Sequence, residues 1–70
     1  MGSYYEDLKA SYDLMKKIIK ENPSGLDVDY IVYYITEHIP VSEKALHNRL
    51  KQMDKFNVIK ITKGVAKWVK

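Results

Sequence analysis

Residues 41–70, VSEKALHNRLKQMDKFNVIKITKGVAKWVK, decide the fold. Ser42 opens the stretch as a helix N-cap, a residue whose hydroxyl takes up a free backbone N–H. Leu46, Leu50 and Met53 recur at four and three residues, which predicts a helix over about 43–56 with one apolar stripe. Asn57 follows where a left-handed residue closes such a helix. Val58 to Thr62 and Val65 to Val69 then flank a Lys63-Gly64 turn, the spelling of a two-stranded hairpin over about 58–69. Ile59, Ile61 and Trp68 alternate with Lys60, Thr62 and Lys67, so the apolar side is expected to cover the helices.

The same stretch is basic. It carries eight cations (Lys44, Arg49, Lys51, Lys55, Lys60, Lys63, Lys67 and Lys70) against Glu43 and Asp54, whereas residues 1–40 carry four cations against seven acids. The chain is therefore electrically two-sided, and its positive half holds the helix and hairpin best shaped to meet a polyanion.

Working outward, the first forty residues supply two more helices. Leu8, Tyr12, Met15, Ile18 and Ile19 share a face, with Leu14 at its edge, over about 5–21. Asn22-Pro23-Ser24-Gly25 stops that helix. Leu26 stands alone after the turn, where a strand of one or two residues pairs with the edge of a small hairpin. Asp27 is the expected N-cap of a second helix over about 28–39, with Val28, Ile31, Val32, Ile35 and Ile39 as its stripe and Pro40 as its end. Only Pro40 and Val41 separate this helix from the Ser42 cap, so the two helices must meet at a tight, fixed angle, which is helix-turn-helix geometry.

Seventy residues allow a single domain, predicted over 1–70 as an α+β fold of three helices, a short strand near Leu26 and a C-terminal hairpin. With no cysteine there is no disulfide framework and no thiolate metal site, and no apolar run reaches the 18 or so residues of a membrane span. Met1-Gly2-Ser3 begins neither a signal peptide nor a transit segment, and Glu6 occupies the place where a myristoylation motif needs Ser or Thr. The expected location is cytoplasmic.

The element order and the spelling of residues 42–59 resemble the winged helix-turn-helix DNA-binding family. Ser42, Leu46, Leu50, Met53, Val58 and Ile59 fall on that family's capping and apolar positions, while Ala45, Asn48 and Asn57 replace its usual Thr, Arg and Gly. The resemblance implies a winged-helix fold and sequence-specific binding of double-stranded DNA by a small transcriptional regulator of archaeal, viral or plasmid type, associated with the nucleoid in such a cell. The Ser42–Lys55 helix would enter the major groove and the Lys63-Gly64 wing would lie on the flanking backbone. Two other functions share the fold: a protein-interaction module, and an accessory module of replication or recombination that binds DNA without sequence preference.

On a wheel with Leu46, Leu50 and Met53 inward, Lys44, His47, Asn48, Lys51 and Lys55 form the opposite face, with Gln52 at its edge and Arg49 beside it. Lysines neutralise phosphates or reach guanine acceptors, and the Asn48 amide pairs a donor with an acceptor as adenine requires. Ser42 and the first-turn N–H groups offer a phosphate site. At the hairpin tip stand Lys63 and Gly64, with Lys60 and Lys67 behind them.

Other chemistry is sparse. His38 and His47 belong to different helices and have no cysteine or carboxylate at ligand spacing, so no metal is expected. No phosphate loop or nucleophile–base set is present, so no enzyme activity, cofactor or small-molecule substrate is expected. Six tyrosines exceed what so small a core can use. Tyr5, Tyr12, Tyr30 and Tyr33 are candidates for a protein interface on the acidic half, a homodimer through the first helix being one arrangement and a monomer or a module of a larger assembly the others.

Overall fold

The computed structural model describes residues 4–69. The expectations resting on Met1-Gly2-Ser3, and the charge of Lys70, lie outside the described residues. Six elements follow in order: α1 (Tyr4–Lys20), β1 (Leu26–Asp27), α2 (Val28–His38), α3 (Glu43–Lys55), β2 (Ile59–Thr62) and β3 (Val65–Trp68). The strands form one antiparallel sheet in the order β1-β3-β2, so the fold is three helices against a small three-stranded sheet.

Each helix is held at its ends by side chains and turns that the sequence spells out. Asp27 caps α2 by accepting from the Asp29 N–H at 2.9 Å, and Ser42 caps α3 by accepting from the Ala45 N–H at 3.1 Å. Beyond α3, Asn57 is left-handed at φ 61°. Its N–H donates to the Asp54 carbonyl at 3.1 Å and the Val58 N–H donates to the Met53 carbonyl at 2.9 Å. Those two bonds make a Schellman closure, which reverses the chain into β2. At the end of α1 the Asn22 amide donates to the Ile18 carbonyl at 2.7 Å.

The stripes converge on one core. Met15, Ile19, Ile31, Ile35, Leu46, Leu50, Ile59 and Ala66 are fully buried or nearly so, with Ile18, Val32 and Met53 around them. Burying each large apolar side chain contributes about 1.5–3 kcal/mol. Ile61 and Trp68 pack partly buried against this cluster, on the side of the hairpin expected to face the helices. The stripe of α1 differs from its expected form. Leu8 and Tyr12 are only half-buried, and Ser11 is the fully buried residue of that turn. Its hydroxyl donates to the Leu8 carbonyl at 2.6 Å, which satisfies a polar group that would otherwise be costly to bury.

The hairpin turns through Lys63 at φ 52° and Gly64 at φ 78°. Two successive left-handed residues make the type I′ turn that matches strand twist. β1 pairs with the same region, Leu26 opposite Ala66 and Asp27 opposite Val65. The Val28 N–H donates to the Gly64 carbonyl at 2.8 Å. The tip of the hairpin is thus tied to the start of α2 and does not project beyond the sheet.

Gly25, at φ 104°, makes this approach possible. A Cβ there would stand 2.6 Å from Val65 Cγ1 and 3.0 Å from Lys67 Cγ. Gly25→Ala combines a disfavoured backbone with a clash and is expected to lower the unfolding free energy by about 1–3 kcal/mol in urea denaturation. Asn57→Gly, which relaxes a left-handed position, is expected to change it by less than about 1 kcal/mol.

Candidate nucleic-acid interface

The outward face of α3 is a single strip. Lys44, Asn48, Lys51 and Lys55 lie four, three and four residues apart, all exposed, and no carboxylate interrupts them. Gln52 is exposed at its edge, and Ser42 at its N-terminal end is occupied in capping. The strip spans about 16 Å of helix at 1.5 Å per residue.

The two flanks of α3 are unlike. On the flank toward α1, Arg49 is half-buried, with its guanidinium 4.6 Å from the centre of the Tyr12 ring. Its Nε is buried without a hydrogen-bond partner. Arg49, a candidate DNA-binding residue beside the strip, joins α3 to α1 through a cation–π contact. Tyr12, a candidate interface residue, is engaged by the same contact.

On the other flank, His47 is half-buried at the wall of a groove of about 580 Å³ between α3, the start of α2 and the hairpin tip. Lys51, Lys63 and Gly64 line it too, together with Asp27, Asp29 and Asp54. The Asp54 carboxylate accepts from the Ile61 N–H on the outer edge of β2 at 3.2 Å. This acidic side of the groove is absent from the wheel of α3, because two of its three carboxylates come from another helix start. The signal for Asp54 was its place beside Met53, on the flank that must meet β2.

The hairpin lysines divide. Lys63 borders the groove beside α3, whereas Lys60 and Lys67 are register partners on the outer face of the sheet, with Thr62 opposite Val65. Strand alternation turns that face away from the core. Lys60 and Lys67 thus stand behind the tip, two rungs back from Thr62 and Val65, and share the outer face with Lys63.

The tyrosines lie mainly on the acidic half. Tyr5, Tyr30 and Tyr33 are exposed, while Tyr34 is half-buried. Tyr30, Tyr34 and His38 form a ladder along α2, with ring centres 6.1 and 4.4 Å apart. The His38 Nδ1 lies 2.8 Å from the Tyr34 carbonyl, which can only accept, so this nitrogen carries the proton. A hydrogen bond to Glu37, and then its charge, raises the Tyr33 phenol above its ordinary pKa.

Among the described residues no group of three or more His, Asp or Glu side chains is placed to hold a metal ion, and no helix is long and apolar enough to cross a membrane. Comparison of the chain with family models, with characterised proteins and with solved structures gives no match.

The Asp54–Ile61 bond is the joint between α3 and the hairpin. Asp54→Ala is expected to cost about 1–2 kcal/mol in thermal or urea unfolding, since it strands a partly buried N–H. Faster hydrogen exchange at the Ile61 amide would locate the loss.

Proposed function

We propose that this chain is a winged helix-turn-helix protein that binds double-stranded DNA with sequence preference, as a small transcriptional regulator and not as an enzyme. The observation that carries the reading is the exposed strip Lys44, Asn48, Lys51, Lys55 on the second helix of a tight helix-turn-helix. Three lysines along about 16 Å of helix suit the phosphates flanking a major groove, and the amide among them suits an adenine edge. The short connection from α2 supports the same reading, since it fixes α3 at the surface with its strip outward. Lys63 extends the cationic surface past the groove on the hairpin side. Asp27, Asp29 and Asp54 repel phosphates from the groove floor, which confines the DNA backbone to the α3 strip and the hairpin tip and thereby sets its register.

Phosphate contacts from Lys44, Lys51, Lys55 and Lys63 give log affinity a slope against log salt of about −3.6, at about −0.9 for each. Fluorescence-anisotropy titration of a labelled duplex at several salt concentrations measures it. Lys51→Ala is expected to weaken every sequence alike and to reduce the slope by about 0.9. Asn48→Ala is expected to relax preference at one base pair of a selected site, by about 1–3 kcal/mol. A salt-independent affinity, or none at low salt, refutes the proposal.

A further inference from the structure

The outer face of the hairpin is the part of the basic half that the α3 strip leaves unused. Ile59, Ile61, Ala66 and Trp68 face the helices, so Lys60, Thr62, Val65 and Lys67 face the other way. Lys60 and Lys67 are directly opposite each other across the ladder. The Ile61 N–H points outward to Asp54, and the Val69 N–H donates to the Val58 carbonyl at 3.0 Å. That parity makes Lys60 and Lys67 a hydrogen-bonded pair, with Cα atoms about 5.5 Å apart.

Like charges so opposed destabilise a hairpin, and an acid at either position would have done the reverse. Neither lysine has an ion-pair partner among the described residues. With Lys63, Thr62 and Val65 they line a groove of about 500 Å³ that holds three ammonium groups, a hydroxyl and no carboxylate. Lys67 is steadied there, because its stem lies against Gly25, where even a Cβ would stand only 3.0 Å from its Cγ.

We propose that this face is a second DNA surface, and that one molecule joins two duplex segments, one on the α3 strip and one on Lys60 and Lys67. The inference rests on the DNA reading of α3. The occupant is duplex DNA because the face carries three cations and no acid, and has no aromatic ring on which an unpaired base could stack. The contact is to backbone and carries no sequence preference. The sheet face is turned away from the core, and the groove lined by Asp27, Asp29 and Asp54 lies between the hairpin tip and the α3 strip, which favours two segments over one.

The test is capture of a labelled duplex by an unlabelled duplex fixed to beads, with the protein between them, alongside anisotropy titration of one duplex. Wild type is expected to capture. Lys60→Gln with Lys67→Gln is expected to reduce capture about tenfold or more while changing single-duplex affinity by less than about twofold. Its unfolding midpoint should be unchanged or higher, since the repulsion is gone. Lys44→Gln with Lys51→Gln is expected to weaken single-duplex binding about tenfold or more and to leave a residual, salt-sensitive affinity that the hairpin changes then remove. Capture that survives in the Lys60, Lys67 variant overturns the second surface, as does a wild type that binds one duplex and captures none. Single-duplex affinity unaffected by the Lys44, Lys51 changes overturns the α3 reading and the bridge with it.

Discussion

The fold depends on a clasp of three residues. Leu26 and Asp27 pair with Ala66 and Val65, and the Val28 N–H reaches the Gly64 carbonyl. Without this pairing the hairpin would be a two-stranded ribbon, marginal in water on its own. With it, the inner face of the sheet is pressed onto α1 and α3, and Ile59 and Ala66 complete a core that the helices alone leave open. The clasp also explains a crowded junction: Gly25 must be a glycine, Asp27 must be both strand end and helix cap, and the turn must be the tight I′ form.

The framework was legible because each of its signals is local. Ser42, Asp27 and Asn57 act within a few residues of themselves, and the stripes of α2 and α3 are read from spacing alone. Even the lone Leu26 strand was foreseeable, since a residue between a turn and a cap has few other uses. The less legible features need two elements at once. Ser11 was passed over because a hydroxyl breaks an apolar stripe unless its own helix supplies the acceptor. Arg49, beside the basic face, was read as a candidate DNA contact because a wheel has no knowledge of Tyr12. The side that Lys60 and Lys67 occupy was legible from alternation, but the acidic groove beside the tip was not, since Asp27 and Asp29 reach it from the start of another helix.

Electrostatics then organise the surface more finely than the two halves of the sequence suggest. The positive half is not one patch. It is a strip on α3 and a face on the hairpin, parted by a groove to which Asp27, Asp29 and Asp54 contribute negative charge. Such partition costs stability in like-charge contacts and limits where a polyanion can lie. Limits of that kind serve orientation more than affinity.

The Asp54 carboxylate has a further consequence, for association between molecules. β2 is the outermost strand of the sheet, and an outermost strand presents unpaired amides on which another chain can build. Asp54 occupies the Ile61 amide from the side and sets a negative charge on that rim. At the opposite rim β1 is only two residues long, too short to template a partner. With one margin partly blocked by a carboxylate and the other only two residues long, the sheet offers little length on which another chain's backbone can build.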